Sequence, residues 1–334
     1  MPKILVIRFS SIGDIVLASP VMRCLKKQLA DAEVHFVTKS SFRMVTEHSP
    51  YIDKFFYFDE DLSVLIQDLK KENYDYVIDL HDNIRSNRIR RALKKKSYTI
   101  NKLSVEKFLL TNFNINLMPG RHITKRSLDT VAELGVVDDG LGLDYFIPPG
   151  QRVNETDIPT SHQAGFLAVV IGANHFTKKL PVHKLQELCY KIEHPIILLG
   201  GKEDQSAGVQ IASVDPVKIY NACGKFSLHE SADLVRRSKL VVSHDTGMQY
   251  IACAFQKPVL AVWGGTSPRL DVEPYYGSAY TQTGVPIYEN ILLNLRCQPC
   301  SRFGSKTCPL EHFNCMEKQD IDALVSKVHE RLRK

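Results

Sequence analysis

The sequence lacks any apolar run long enough to cross a membrane, which takes about 20 residues. The apolar stretch near its start covers only residues 4–7 and is followed at once by Arg8. Such a stretch is too short for the apolar core of a secretory signal. We therefore expect a cytoplasmic protein with reduced thiols. Peripheral attachment to the inner face of a membrane through basic residues stays open as an alternative.

A strong charge bias is also missing. Lysine and arginine number 43 against 37 acidic residues in a chain of 334, a net charge of +6. This mild excess suits an anionic ligand or a membrane surface, and no nucleic-acid partner is expected.

The first apolar strand is not followed by a G-x-G-x-x-G fingerprint, so a dinucleotide oxidoreductase is disfavoured. The apolar and charged fractions are those of a globular protein, and the length suits about two domains.

Short apolar strands alternate with helical patterns along most of the chain, which is typical of parallel sheets covered by helices. One series of alternations precedes residues 140–158, a stretch rich in glycine, proline and polar residues, and a second series follows it. We interpret this stretch as a link between domains. The sequence therefore predicts two α/β domains, residues 1–150 and 151–334, with a ligand cleft between them.

Residues 239–268 contain the most informative pattern, which predicts a strand, a polar loop, a helix and a second strand that ends in another polar loop. It places Asp245, Thr246 and Gly247 where a strand ends and a helix begins. Free backbone N–H groups and the helix dipole favour an anion there, although Asp245 or Thr246 could simply cap the helix. The second polar loop, residues 264–267, favours a ligand site, because open α/β sheets bind ligands at this edge.

A tight polar turn, residues 10–14, follows the first strand and ends in Asp14 at the start of a helix. The carboxylate would repel a phosphate, so this turn does not predict a phosphate cradle. The helix dipole instead favours the ionised carboxylate. An ionised, partly buried carboxylate beside a cleft can act as the general base for a sugar hydroxyl. A helix cap is the competing interpretation of Asp14.

Several stretches that include these motifs resemble glycosyltransferase family 9, the ADP-heptose:lipopolysaccharide heptosyltransferases. They are residues 3–25, 76–86, 122–128, 177–181 and 241–268. The most specific are S-S-x-G-D, which ends at Asp14, and D-T-G, which begins at Asp245. The resemblance implies a GT-B fold, in which two Rossmann-like domains face each other across a cleft. It also implies that the N-terminal domain binds the acceptor and the C-terminal domain the nucleotide-sugar donor.

The resemblance further implies an inverting, metal-independent transferase that moves a sugar, heptose from ADP-heptose, onto a lipopolysaccharide core or a related anionic lipid-linked saccharide. Asp14 falls on the family's proposed base, and Lys178 falls on the lysine of its T-K-x-x-P segment. The donor-binding positions fall on Thr177, Glu203, Asp245, Thr246, Gly247 and Tyr250. The S-S-x-G-D segment places Ser10, Ser11 and Gly13 on the acceptor side. Arg85 and Arg121 are further candidates for binding the acceptor, because arginine suits the phosphate or carboxylate groups of an anionic saccharide.

One position departs from the family pattern. Tyr250 stands where the family usually has histidine, three residues after the glycine of D-T-G. A phenol can donate a hydrogen bond to a sugar or phosphate, but it carries no positive charge. This departure keeps open a non-catalytic nucleotide-sugar-binding protein, although the presence of both Asp14 and Lys178 argues against it. A GT-B-type nucleotide-sugar epimerase or hydrolase, which would act on the donor alone, is a further alternative.

Four of the eight cysteines lie close together in the C-terminal segment 297–315, with His312 among them; they are Cys297, Cys300, Cys308 and Cys315. A C-x-x-C pair together with further thiolates matches a structural zinc site. The looser spacing of the second pair, Cys308 and Cys315, favours free thiols or an adventitious disulfide. No metal is expected to be required for the chemistry, and structural zinc in this segment is the alternative.

Overall fold

The computed structural model describes residues 1–281 and 287–333, which form two compact units. The first unit comprises Met1–Leu103, Arg121–Phe146 and Gly277–Tyr280, and the second comprises Ser104–Gly120, Ile147–Tyr276 and Thr281–Lys334. The division therefore departs from a single boundary near residue 150. Residues 104–120 belong with the second unit because Arg302 donates to the carbonyl of Ser104 at 2.8 Å and Arg269 to the side chain of Asn114 at 2.9 Å.

The first half of the chain alternates strands and helices. The strands are β1 (Lys3–Ile7), β2 (Glu33–Lys39), β3 (Lys54–Phe58), β4 (Tyr76–Asp79) and β5 (Lys96–Thr99). The helices are α1 (Ile12–Gln28), α2 (Arg43–Thr46), α3 (Leu62–Lys71), α4 (Ile84–Leu93), α5 (Ser104–Phe113) and α6 (Ile123–Asp129). The strands form a parallel sheet in the order β3-β2-β1-β4-β5. Ile4 and Val6 of β1 pack into one core, and Leu5 and Ile7 pack into another on the opposite face.

The second half repeats this arrangement. Its strands are β6 (Leu167–Val170), β7 (Ile196–Leu199), β8 (Ile219–Asn221), β9 (Leu240–His244), β10 (Val259–Val262) and β11 (Tyr288–Ile291). Its helices are α7 (Thr160–Gln163), α8 (Val182–Lys191), α9 (Gln205–Ala212), α10 (Leu228–Arg237), α11 (Gly247–Ala254), α12 (Ser278–Thr281), α13 (Asn314–Glu317) and α14 (Ile321–Leu332). The sheet is parallel in the order β11-β10-β9-β6-β7-β8. Among the described residues, no helix has the length and apolar character needed to span a bilayer.

Strand register brings the polar loops of each unit to one edge of its sheet. In the first sheet, Ile7 at the end of β1 pairs with Val37 on one side and Asp79 on the other. In the second sheet, Val262 pairs with His244. The turns that follow β1 and β4 therefore leave the first sheet at the same edge, and those that follow β9 and β10 do so in the second. Ligands bind at this edge in open parallel sheets.

Segments far apart in sequence close the first unit. Arg23 of α1 is only 2% exposed, and its guanidinium donates to Asp139 at 2.7 Å and to the carbonyl of Gly142 at 2.8 Å. Gly277 lies against Gly140 with a φ of +81°, and a Cβ atom at Gly277 would fall 2.2 Å from the Gly140 carbonyl oxygen. Glycine is required at this contact because a larger residue would clash with the backbone.

Candidate active site

Asp14 lies in the first turn of α1, directly after the turn that follows β1. Its carboxylate accepts hydrogen bonds from the backbone N–H of Ser11 at 3.1 Å and from the Ser11 hydroxyl at 2.8 Å. Its other oxygen lies 2.6 Å from the guanidinium of Arg8. The side chain remains 38% exposed. Asp14 thus caps the helix and still presents a carboxylate to solvent, so the two interpretations of this residue are compatible.

The surroundings of Asp14 keep it ionised. Burial by itself would raise the pKa of the Asp14 carboxyl, but the charge of Arg8 and the hydrogen bonds from Ser11 outweigh it and hold the pKa below its ordinary value. Arg8 is itself fixed, because its Nε atom donates to the carbonyl of Ser10 at 2.9 Å and its Nη1 atom donates to the carbonyl of Leu80. Asp14 is therefore a deprotonated group in a defined position.

Two further titratable side chains, His81 and Lys102, interact electrostatically with Arg8 and Asp14. His81 follows β4, and burial together with the positive charges of Arg8 and Lys102 lowers its pKa to about 3. The ring is therefore neutral at pH 7. Burial and the charge of Arg8 also lower the pKa of Lys102, while Asp82, Asp79 and Asp14 act in the opposite direction. Sequence reasoning missed Arg8, His81 and Lys102.

The predicted acceptor residues lie in different surroundings. Gly13 is buried within α1. Arg85 lies over the ring of Phe58 at 5.6 Å and lines an open pocket of about 630 Å³ together with Arg88 and Asp59. Arg121 is half exposed, and its Nε atom donates to Asp129 at 2.7 Å. The pocket favours Arg85 over Arg121 as a ligand contact, because the guanidinium of Arg121 already has a carboxylate partner.

In the second unit, Lys178 and Asp245 form an ion pair beside the start of α11. The Lys178 Nζ atom lies 2.8 Å from Asp245 Oδ2 and donates to the Asp245 carbonyl at 2.9 Å. The Thr266 hydroxyl donates to the same carboxylate oxygen at 2.9 Å. Asp245 is only 8% exposed. Two segments that the resemblance implied to be donor-binding, around Lys178 and around Asp245, thus meet in the folded unit.

The loop after β9 leads into α11 as predicted. Thr246 is the N-cap, and its hydroxyl oxygen accepts from the backbone N–H of Met248 at 3.2 Å. Gly247 is the first residue of the helix. Thr266, which holds Asp245, comes from the second polar loop. The sequence pattern predicts that loop as part of a ligand site but does not point to Thr266 within it.

Tyr250 points toward Asp245. Its hydroxyl donates to the carbonyl of Val272 at 2.7 Å and lies 3.4 Å from Asp245 Oδ1, and the residue is 4% exposed. The phenol therefore supports the loop after β9. Its predicted role in contacting the donor stays a prediction, and the geometry favours a positioning role.

We expect Tyr250→Phe to destabilise the protein by about 1 kcal/mol, since the variant loses the hydrogen bond to Val272. The donor KM should rise only a few-fold, because Lys178 and Thr266 still hold Asp245. Urea unfolding and donor-saturation kinetics measure the two effects. A loss of roughly 100-fold in kcat/KM at unchanged stability would instead indicate that the phenol contacts the reacting groups.

Thr177 and Glu203 differ in their surroundings. Thr177 is 1% exposed; its hydroxyl oxygen accepts from the backbone N–H of Ser305 at 2.8 Å, and its carbonyl accepts from Gly265 at 2.7 Å. These bonds fix the segment that carries Lys178. Glu203 is exposed, whereas the adjacent Asp204 is buried and lies 2.6 Å from the Nζ atom of Lys179. Sequence reasoning did not single out Asp204.

The four C-terminal cysteines lie near one another. Burial and the charges of Cys300, Cys297 and Cys308 raise the pKa of the Cys315 thiol to about 12. The Cys297 sulfur lies 3.9 Å from His312 Nε2. Nevertheless, in the described part of the chain these cysteines do not form a set whose donor atoms all lie within 4.8 Å of one another. Structural zinc, which needs its four ligands around one centre, stays a prediction.

In the first unit, one set of side chains could hold a metal ion, because its donor atoms all lie within 4.8 Å of one another. The set comprises Glu33, His35 and Glu72. It lies at the amino end of the sheet, away from the edge that carries Asp14. Lys3 pairs with both glutamates, at 3.2 and 3.1 Å, and Lys54 also pairs with Glu72. Because these lysines already balance the carboxylates, we interpret the set as a structural ion-pair network.

Two parallel-sheet α/β units with polar loops at the carboxyl edge of each sheet are the architecture of GT-B glycosyltransferases, as predicted. Solved structures support this fold. The chain is 18% identical to "E. coli heptosyltransferase WaaC with ADP", with a TM-score of 0.68 and coverage of 98% of this chain and 99% of that one. It is 17% identical to E. coli ADP-heptose lipopolysaccharide heptosyltransferase II, with a TM-score of 0.67 and the same coverage.

The chain belongs to glycosyltransferase family 9 (heptosyltransferase), whose family model matches residues 63–314. It is therefore a glycosyltransferase, and the predicted family is confirmed. A curated relative is lipopolysaccharide heptosyltransferase 1 of Campylobacter coli, 24% identical over 291 residues that cover 79% of this chain and 84% of the relative. Lipooligosaccharide heptosyltransferase 2 of Haemophilus influenzae is 32% identical over 90 residues, 26% of each chain.

Proposed function

We propose that this enzyme transfers heptose from ADP-heptose onto a lipopolysaccharide core or a related anionic lipid-linked saccharide, with inversion of configuration and without a metal. The observation that carries the proposal is the ionised, partly exposed carboxylate of Asp14, fixed by Arg8 and Ser11 at the carboxyl edge of the first sheet. The names of the relatives, which are lipopolysaccharide and lipooligosaccharide heptosyltransferases, support the choice of donor and acceptor.

In the proposed reaction, Asp14 removes the proton of an acceptor hydroxyl while that oxygen attacks the anomeric carbon of the donor. The bond from this carbon to the diphosphate oxygen breaks on the opposite face, so a single displacement inverts the configuration. The proton ends on Asp14 and the electron pair on the leaving ADP. The first unit is proposed to bind the acceptor, with Ser10, Ser11, Gly13 and Arg85 near the attacking group.

The second unit is proposed to bind the donor. Negative charge accumulates on the leaving diphosphate, and Lys178 together with the backbone N–H groups at the start of α11 would stabilise it. Asp245 would repel this charge by itself. Its ion pair with Lys178 and its hydrogen bond from Thr266 offset that repulsion and keep the ammonium in place. A fixed cation and a helix terminus would then supply the stabilisation that a metal gives in other transferases.

The decisive experiment measures ADP release from ADP-heptose with and without a deacylated lipopolysaccharide-core acceptor. Acceptor-dependent release, with a new glycosidic bond of inverted configuration seen by NMR, supports the proposal. Release that does not need the acceptor would identify a hydrolase. Saturable binding of ADP-heptose with no release in either case would identify a binding protein.

We expect turnover to be unchanged after dialysis against EDTA, because the proposed electrostatic stabilisation comes from Lys178 and the helix terminus. Initial rates before dialysis, after dialysis and after addition of Mg²⁺ provide the measurement. A loss of rate that Mg²⁺ restores would show that the reaction uses a metal. Parallel metal analysis of the dialysed protein would show whether Cys297, Cys300, Cys308 and Cys315 retain zinc.

A further inference from the structure

Helix α5 and the loop that follows it turn large apolar side chains outward. Of the ten residues of α5, Leu110 is the one that is buried. The exposed fractions in this segment are 67% for Val105, 48% for Phe108, 62% for Phe113, 49% for Ile115 and 59% for Leu117. Single exposed apolar residues are normal on a protein surface, but a contiguous group marks an interaction site.

A neighbouring loop extends this group. The guanidinium of Arg302 donates to the Ser104 carbonyl at 2.8 Å, which places the loop beside the start of α5. The next residue, Phe303, is 72% exposed. The rings of Phe108 and Phe113 contact each other edge to face, with centroids 5.9 Å apart. We call the six residues Val105, Phe108, Phe113, Ile115, Leu117 and Phe303 the apolar patch. All of them belong to the second unit.

The charge around the apolar patch is positive. In the second unit, residues 104–120 contain one lysine, Lys107, and a single acid, Glu106. The adjacent loop adds Arg302 and Lys306, neither of which has an acidic partner among residues 1–281 and 287–333. Apolar side chains flanked by cations are the composition of surfaces that lie in the headgroup region of anionic membranes. A patch that binds a second copy of the chain or an apolar groove of another protein would not need these positive charges beside it.

We propose that the apolar patch inserts into the interface of an anionic lipid bilayer and holds the enzyme at the membrane surface. Only the benefit of this attachment rests on the proposed function, because a lipid-linked acceptor would be presented at the membrane surface. Phe108, Phe113 and Phe303 supply the apolar contact. Arg302 and Lys306 supply attraction to anionic headgroups, so binding depends on both lipid charge and salt concentration.

Co-sedimentation of the full chain with phosphatidylcholine vesicles, with and without phosphatidylglycerol, tests the proposal. We expect wild-type protein to bind the vesicles that contain phosphatidylglycerol. The triple variant Phe108→Ser, Phe113→Ser, Phe303→Ser should bind at least roughly 10-fold more weakly. Lys306→Gln should weaken binding about 5-fold to the anionic vesicles alone. Val217→Ser is the matched control, since Val217 is 78% exposed and lies outside the patch.

Absence of wild-type binding, or equal binding by the triple variant, would overturn the proposal. Light scattering that showed a wild-type dimer and a monomeric triple variant would also overturn it, because the apolar patch would then bind a second copy of the chain. All variants should keep the wild-type melting temperature, since the changed side chains are exposed. Turnover on the deacylated acceptor separates the two proposals: its absence in vesicle-binding wild-type protein rejects the proposed function and leaves the membrane surface standing.

Discussion

The variant Asp14→Asn is expected to lower kcat by at least roughly 10²-fold, the low end for loss of a positioned general base. The amide oxygen can still accept the hydrogen bonds from Ser11, so the start of α1 should persist. The amide cannot take the proton from the acceptor hydroxyl. Acceptor-dependent ADP release gives the rate, and circular dichroism confirms that the variant is folded. A variant that turns over near the wild-type rate would remove Asp14 from the chemistry.

The pH dependence of the reaction gives an independent test of Asp14. Because its pKa lies below the ordinary value of 3.8, the carboxylate stays ionised as the pH falls through the range in which a typical aspartate begins to protonate. The acid limb of kcat/KM that belongs to Asp14 should therefore lie below pH 3.8. Arg8→Gln removes the positive charge that lowers the pKa, so this limb should move to higher pH. An unchanged profile in the Arg8 variant would mean that another group controls the acid limb.

The variant Lys178→Ala is expected to lower kcat/KM for the donor by roughly 10²- to 10³-fold, the loss typical of removing one group that stabilises charge in the transition state. The ammonium lies 2.8 Å from Asp245 Oδ2, so its removal also leaves a nearly buried carboxylate without its ion-pair partner. Donor-saturation kinetics give the first effect, and thermal unfolding gives the second. Lys178→Arg keeps the charge and should lose less activity than the alanine variant.

A double variant separates the two roles of Lys178. Lys178→Met combined with Asp245→Asn removes both charges, so no unpaired carboxylate remains in the second unit. If Lys178 stabilises the leaving diphosphate, the double variant stays as slow as Lys178→Ala even when its stability recovers. Recovery of turnover together with stability would show that Lys178 serves only to neutralise Asp245.

Much of the candidate active site could be predicted from local patterns in the sequence. The apolar run before Ser243 predicted β9, and the polar residues after it predicted the start of α11, because strand ends and helix starts depend on near neighbours. The same reasoning located Asp14. What it missed depends on tertiary contacts: Arg8 matters because the fold brings it to Asp14, and Thr266 matters because its loop returns to Asp245.

The strands and helices of the C-terminal part of the chain were harder to predict from the sequence. No strand or helix is predicted from the sequence after residue 268, whereas the structure has β11 and α14 there. Strand β11 is only four residues long and half-buried, so it lacks the apolar run that revealed the central strands. The placement of residues 104–120 in the second unit could not be predicted either, since it rests on contacts with Arg269 and Arg302.

The first unit gathers its chain from three separate stretches, and the last of them, Gly277–Tyr280, follows most of the second unit in sequence. During translation, all residues up to Gly277 must therefore leave the ribosome before the contact between Gly140 and Gly277 can form. An excised fragment that ends near residue 150 would lack this closing piece as well. We expect such a fragment to be more susceptible to proteolysis than the same residues in the intact enzyme, so dissection of this enzyme into halves should retain residues 277–280 with the N-terminal half.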